Sequence, residues 1–192
     1  MASATLVAGA GLGWFVPTLA WDWQPGLVWQ QPWRWWTAAF VHWSPLHAAA
    51  NLGAALLVAL FGAVARVPAR VALAWLLAWP LTHLGLLVAP GLLHYGGLSG
   101  VLHAGVAAVI VYLVLLAPGV RRRIALALGA GLLLKLWFEA PWGAPLRHAP
   151  GWDIVVVPLA HATGTLAGVL CALALLIRRP VAPSPPPPAP QR

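Results

Sequence analysis

The sequence predicts an all-α integral membrane protein built as a six-helix transmembrane bundle, and three observations lead there. Of 192 residues, 61% are hydrophobic and only 7% are charged, whereas a soluble domain carries about 25% charged residues. The apolar residues fall into six runs, each near the ~20 residues that cross a bilayer. The basic residues sit between these runs in an alternating pattern that acts as an orientation signal.

The elements follow in chain order. A first span at about 3–20 lacks a basic leading segment, so it reads as a retained helix and not as a cleaved signal peptide. Residues 21–45 form a loop with seven of the thirteen tryptophans. Indole prefers the headgroup layer, so this loop is expected on or partly in the outer leaflet. Further spans follow at about 46–64, 71–89, 99–117, 122–139 and 155–177. Residues 1–179 are thus one membrane domain without an internal repeat, and 180–192 form a proline-rich, disordered cytoplasmic tail.

Arg66 and Arg70 lie between spans two and three, Arg121, Arg122 and Arg123 between four and five, and Arg178 and Arg179 after six. All fall on one side, which the positive-inside rule makes cytoplasmic, together with both termini. Asp22, Glu139 and Asp153 fall on the other side. The net charge of +8 therefore reads as topology and not as a nucleic-acid surface, which needs basic residues gathered on one face. The single cysteine, Cys171, excludes an intramolecular disulfide and a cysteine-based metal site.

Polar side chains inside a bilayer are costly and mark functional sites. His47 and Asn51 are four apart at the start of span two and share a helical face. Ser99 opens span four, His103 lies one turn further on, and His161 is near the outer end of span six. His42, His83, His94 and His148 lie in or near the outer loops. Ser99, His161, His47 and Asn51 share one depth and can converge on a cavity open to the outer side.

That set suits acyl transfer. A serine hydroxyl needs a base within hydrogen-bond reach, and His161 is the candidate. Asn51, His47 and the free N–H groups at the start of span four can stabilise an oxyanion. Gly96, Gly97 and Gly100 leave room beside Ser99, and Gly164 and Gly168 share a face with His161. Small residues let membrane helices approach closely, so span six is expected against Gly100, Ala104 and Ala107 of span four. No acid is placed to complete a triad, and a Ser–His dyad is expected. Each residue also has a plainer role: Ser99 as a helix cap, His161 as a partner for a backbone carbonyl, His47 and Asn51 as a local interhelical contact. Lys135 and Glu139, four apart in span five, can neutralise each other at the interface or orient an anionic or aminoacyl substrate group.

Three segments, WRWWTAAFVHWSPLHAAANLG, GGLSG and AHATGTLAG, resemble the rhomboid intramembrane serine proteases over residues about 30–175. The resemblance implies Ser99 as nucleophile, His161 as base, and His47 and Asn51 at the oxyanion site. It departs from the usual family pattern at His103, where a tyrosine is common. Together with Lys135, Glu139 and the short six-span core, this is similar to the rhombosortase branch. The resemblance then implies a bacterial inner-membrane enzyme that cleaves C-terminal GlyGly-type sorting tails near the outer surface, by hydrolysis or by transfer to an amine. Gly97, Gly100, His103, Lys135, Glu139, Gly164 and Gly168 would support substrate or site. The expected partners are the transmembrane tail of a substrate protein and the lipid bilayer; no nucleic acid, cofactor or metal is expected. Two other readings stay open: a non-catalytic rhomboid-like binder of membrane helices, and a haem or metal protein using the histidines.

Overall fold

A computed structural model describes residues 18–177. Most of the span expected at 3–20, the basic pair Arg178 and Arg179, and the tail at 180–192 lie outside the described residues. Within them the chain is an all-α, multi-pass helical bundle. Four helices are long and apolar enough to cross a membrane.

The region read as one loop is more structured. It contains α1 (Thr18–Trp21), a 3-10 turn (Pro25–Leu27), α2 (Arg34–Thr37) and a second 3-10 turn (Ala38–Phe40). A fully buried carboxylate ties these pieces together. Asp22 accepts hydrogen bonds from Arg34 Nη1 at 3.0 Å, Gln24 Nε2 at 2.8 Å and His94 Nδ1 at 2.6 Å. A buried charge persists only when paired and hydrogen-bonded, so Asp22 is structural as well as a marker of sidedness. Next to it Trp23 and Tyr95 exchange backbone hydrogen bonds at 2.7 and 2.9 Å.

The first long helix, α3 (Pro45–Ala65), starts where Ser44 Oγ accepts from the His47 N–H at 3.0 Å and Pro45 occupies the first turn. Both features favour a helix start. Its 21 residues extend about 31 Å at ~1.5 Å per residue, enough for the bilayer core. α4 (Ala69–Leu84) tightens into a 3-10 turn at Gly85–Val88. His83, expected near the outer loops, lies in the last turn of α4, fully buried, with Nδ1–H donating to the Trp35 carbonyl at 2.6 Å.

The centre of the bundle is α5 (Ser99–Leu116), which packs against α3, α4, the following helix α6 (Gly119–Glu139) and the last helix α7 (Pro158–Ile177). The expected start of span six at 155 is corrected. Val155–Val156 (β2) pairs antiparallel with Arg147–His148 (β1), and the helix opens at Pro158, whose missing N–H suits a first turn.

α5 and α7 meet backbone to backbone. A Cβ on Gly164 would collide with the Gly100 carbonyl oxygen, and one on Gly168 with that of Ala104. In lipid, helices gain no hydrophobic energy by associating, so close van der Waals contact supplies the adhesion. On the other flank Trp75 of α4 lies over Gly105 and donates Nε1–H to the Val101 carbonyl at 2.6 Å.

α6 differs. It is 21 residues long, but Arg121, Arg122, Arg123, Lys135 and Glu139 leave a short apolar middle, and it is not among the four. Only Ala125 and Leu136 are buried in it. Its exposed Leu133, Leu134, Trp137 and Phe138, like Leu56, Leu57 and Val64 of α3, form an apolar exterior suited to lipid.

Candidate active site

Ser99 is the first residue of α5, and its side chain does not cap the helix. Leu98 occupies the cap position without a side-chain bond, so the plain capping role is corrected. The hydroxyl points instead at α7, where Ser99 Oγ lies 3.0 Å from His161 Nε2. The glycine seam explains the approach: Gly164, three residues after His161, sits on the carbonyl of Gly100, next to Ser99.

The other nitrogen of the same ring is also engaged. His161 Nδ1 lies 2.8 Å from Glu139 Oε2. This corrects the expectation that no acid is placed beside the pair. Glu139 also meets Lys135, as its spacing predicts, with Nζ 2.5 Å from Oε1; each carboxylate oxygen serves a different partner. Lys135 Nζ lies 3.4 Å from His161 Nδ1 as well. An ammonium can only donate and an ionised carboxylate can only accept, so these contacts ask opposite things of Nδ1. The shorter one prevails: Nδ1–H donates to Glu139, and Nε2 is left with the lone pair that accepts from Ser99.

His103 stacks on His161 with ring centroids 4.2 Å apart and planes 12° from parallel. Its Nδ1–H donates to the Ser99 carbonyl at 2.7 Å. The ring is thereby pinned to the start of α5 and forms a wall that limits His161 to one plane. His103, Glu139 and His161 place one ligand atom each within 4.8 Å of one another. Stacked rings direct their lone pairs in parallel and not toward a common centre, and both His161 nitrogens already have partners. The cluster therefore fits a metal ion poorly.

His47 and Asn51 face the cavity from α3. The Trp43 N–H donates to His47 Nδ1 at 3.4 Å, which leaves the proton on Nε2. That atom lies against Gly97, where a Cβ would come within 2.9 Å of it. Gly97 has φ +141°, a backbone state that only glycine adopts at low cost. Asn51 Nδ2 is buried and has no partner among the described residues. An unpaired buried donor is costly, and Asn51 belongs to the lining of the cavity beside Ser99. The N–H groups at the start of an α-helix such as α5 lack intrahelical acceptors, and Ser99 itself lines the same space.

The cavity has a volume of about 720 Å³. Besides the residues already named, Trp43, His94, Tyr95, Trp152, Asp153 and the strand Val155–Val156 line it. Sequence reasoning missed most of these, since a two-residue strand and an isolated tryptophan carry no periodic signal. Burial pushes the Tyr95 phenol up to about 12. The phenol stays protonated and donates to the Gly97 carbonyl at 3.1 Å, bracing the turn into α5. Ser44 Oγ bonds Asp153 Oδ1 at 2.8 Å and fastens the β1–β2 segment to the start of α3.

Compared with known families and curated proteins, the chain matches no family model and no curated protein.

Proposed function

We propose that this chain is an intramembrane serine endopeptidase of the rhomboid type, in the rhombosortase branch, with Ser99 as nucleophile and His161 as general base. The observation that carries this reading is the 3.0 Å contact between Ser99 Oγ and His161 Nε2 at the wall of a cavity that also holds the unpaired Asn51 amide. In the proposed reaction the Oγ–carbon bond forms as the hydroxyl proton moves to Nε2. The resulting oxyanion takes hydrogen bonds from Asn51 Nδ2, His47 Nε2–H and the first-turn N–H groups of α5. The peptide C–N bond then breaks, Nε2 returns the proton to the departing amine, and the acyl-enzyme is released to water or to an incoming amine.

Placement in the membrane follows the charges. Arg66, Arg70 and Arg121 lie at one end of the bundle, where Arg121 Nη2 bonds the Ala65 carbonyl at 2.6 Å. Asp22, Glu139 and Asp153 lie at the other end with the cavity. The positive-inside rule puts the basic end in the cytoplasm. On the rhombosortase reading, we place the protein in a bacterial inner membrane, with six spans, both termini inside and the site open to the periplasm. A C-terminal GlyGly-type tail is the proposed substrate, since glycines ease the unwinding that exposes a scissile carbonyl.

The test is co-expression with a protein bearing such a tail, followed by mass determination of its new C-terminus. Wild type should shorten the tail, and Ser99→Ala and His161→Ala should each leave it intact at equal membrane levels. Processing by Ser99→Ala would sink the reading. An added water or an added amine in the product mass separates hydrolysis from transfer.

A further inference from the structure

We infer that Glu139 is a positioning residue for the general base, so that the site works as a Ser99–His161–Glu139 relay and not as a two-residue dyad. The inference rests on the reading of Ser99 as nucleophile. Three observations carry it. First, Ser99 Oγ and Glu139 Oε2 lie at 3.0 and 2.8 Å from opposite nitrogens of one imidazole. A carboxylate that accepts from Nδ1–H fixes the tautomer in which Nε2 can take the serine proton. A neutral imidazole without such a partner is free to carry its proton on either nitrogen.

Second, Glu139 is itself held. Lys135 occupies Oε1, and Arg147 Nη1 bonds the Glu139 main-chain carbonyl at the end of α6. Oε2 is left with His161 alone. Third, the His103 ring lies parallel to His161 and blocks rotation out of the plane that contains both contacts. When Nε2 takes the serine proton, the imidazolium formed lies against the carboxylate. The charge that develops during reaction is thus met by a group already in place.

The test uses a fluorophosphonate as probe, on the full chain in detergent micelles, with the maximal inactivation rate separated from the half-saturating concentration. Wild type should be labelled at Ser99 and Ser99→Ala should not. Glu139→Gln, which keeps shape but not charge, should lower the maximal rate about 10²- to 10⁴-fold and leave the half-saturating concentration within about threefold. Glu139→Asp should recover at least about tenfold of that loss. A Glu139→Gln rate within about threefold of wild type overturns the relay and leaves Ser99 as nucleophile intact. Wild type that is not labelled, or is labelled equally in Ser99→Ala, overturns both. Should Glu139→Gln fail to fold, proton–nitrogen NMR of histidine-labelled wild type decides, with His161→Gln to assign the ring. A hydrogen-bonded proton on Nδ1 of His161 supports the relay, and one on Nε2 overturns it.

Discussion

The helices that carry Ser99, His161 and Glu139 are held in two different ways. α5 and α7 touch through their backbones along Gly100, Ala104, Gly164 and Gly168, and each is buried over much of its length. α6, which carries Glu139 and Lys135, buries only Ala125 and Leu136. Ser99 and His161 therefore inherit their mutual geometry from main-chain contact, which side-chain motion cannot disturb. The carboxylate is placed by polar contacts at one helix end, with Lys135, His161 and Arg147 as its fixings.

The most severe way to break this contrast is to widen the seam. Gly164→Val places a branched side chain on the Gly100 carbonyl, and overpacking of this kind costs about 3 kcal/mol. Loss of labelling at Ser99 and a clear fall in thermal midpoint are expected, and near-normal labelling would show that the seam does not set the distance. A gentler change falls on α6. Leu136→Ala should cost about 1–2 kcal/mol, less than in a water-soluble core because lipid offers an equally apolar surrounding. Leu133→Ala on its exposed side should stay within about 0.5 kcal/mol. Unfolding in mixed micelles measures both, and equal effects would contradict the one-sided attachment of α6.

A further effect, visible only at alkaline pH, concerns the turn into α5. The Tyr95 phenol has a folded pKa raised from 10.0 to about 12. A raised value means stability that is complete below about pH 10 and lost as the pH climbs toward 12. Thermal midpoints should therefore decline across that window. Tyr95→Phe should remove most of this decline at a cost of about 1 kcal/mol at neutral pH. A decline unchanged in Tyr95→Phe would assign it to other groups.

These contrasts also explain which features could be read before any coordinates. The apolar runs and their basic separators mark α3, α4, α5 and α7 to within a few residues, because hydropathy and helix-breaking prolines act locally. The pairing of Ser99 with His161 was legible too, since a Gly-x-x-x-Gly face after His161 and small residues after Ser99 imply one close contact. Glu139 was not. Its i, i+4 partner Lys135 satisfies it on paper, and nothing in a one-dimensional pattern shows that a carboxylate has a second oxygen free. The plainer alternative for Ser99, a helix cap, is what residue type alone suggests, but Leu98 takes the cap position. Asp22 was legible only as a charge on the outer side; its burial depends on Arg34 and His94, which no short-range rule joins to it.

The seam has a consequence for biogenesis. Ser99 and His161 are 62 residues apart in the chain, and the contact that joins them exists only once α7 lies against α5. A chain inserted into the membrane only as far as α6 carries the hydroxyl and the carboxylate but no base between them. The Ser99–His161 contact is thus absent until the last described helix docks, and the same packing event that closes the glycine seam brings the two side chains together.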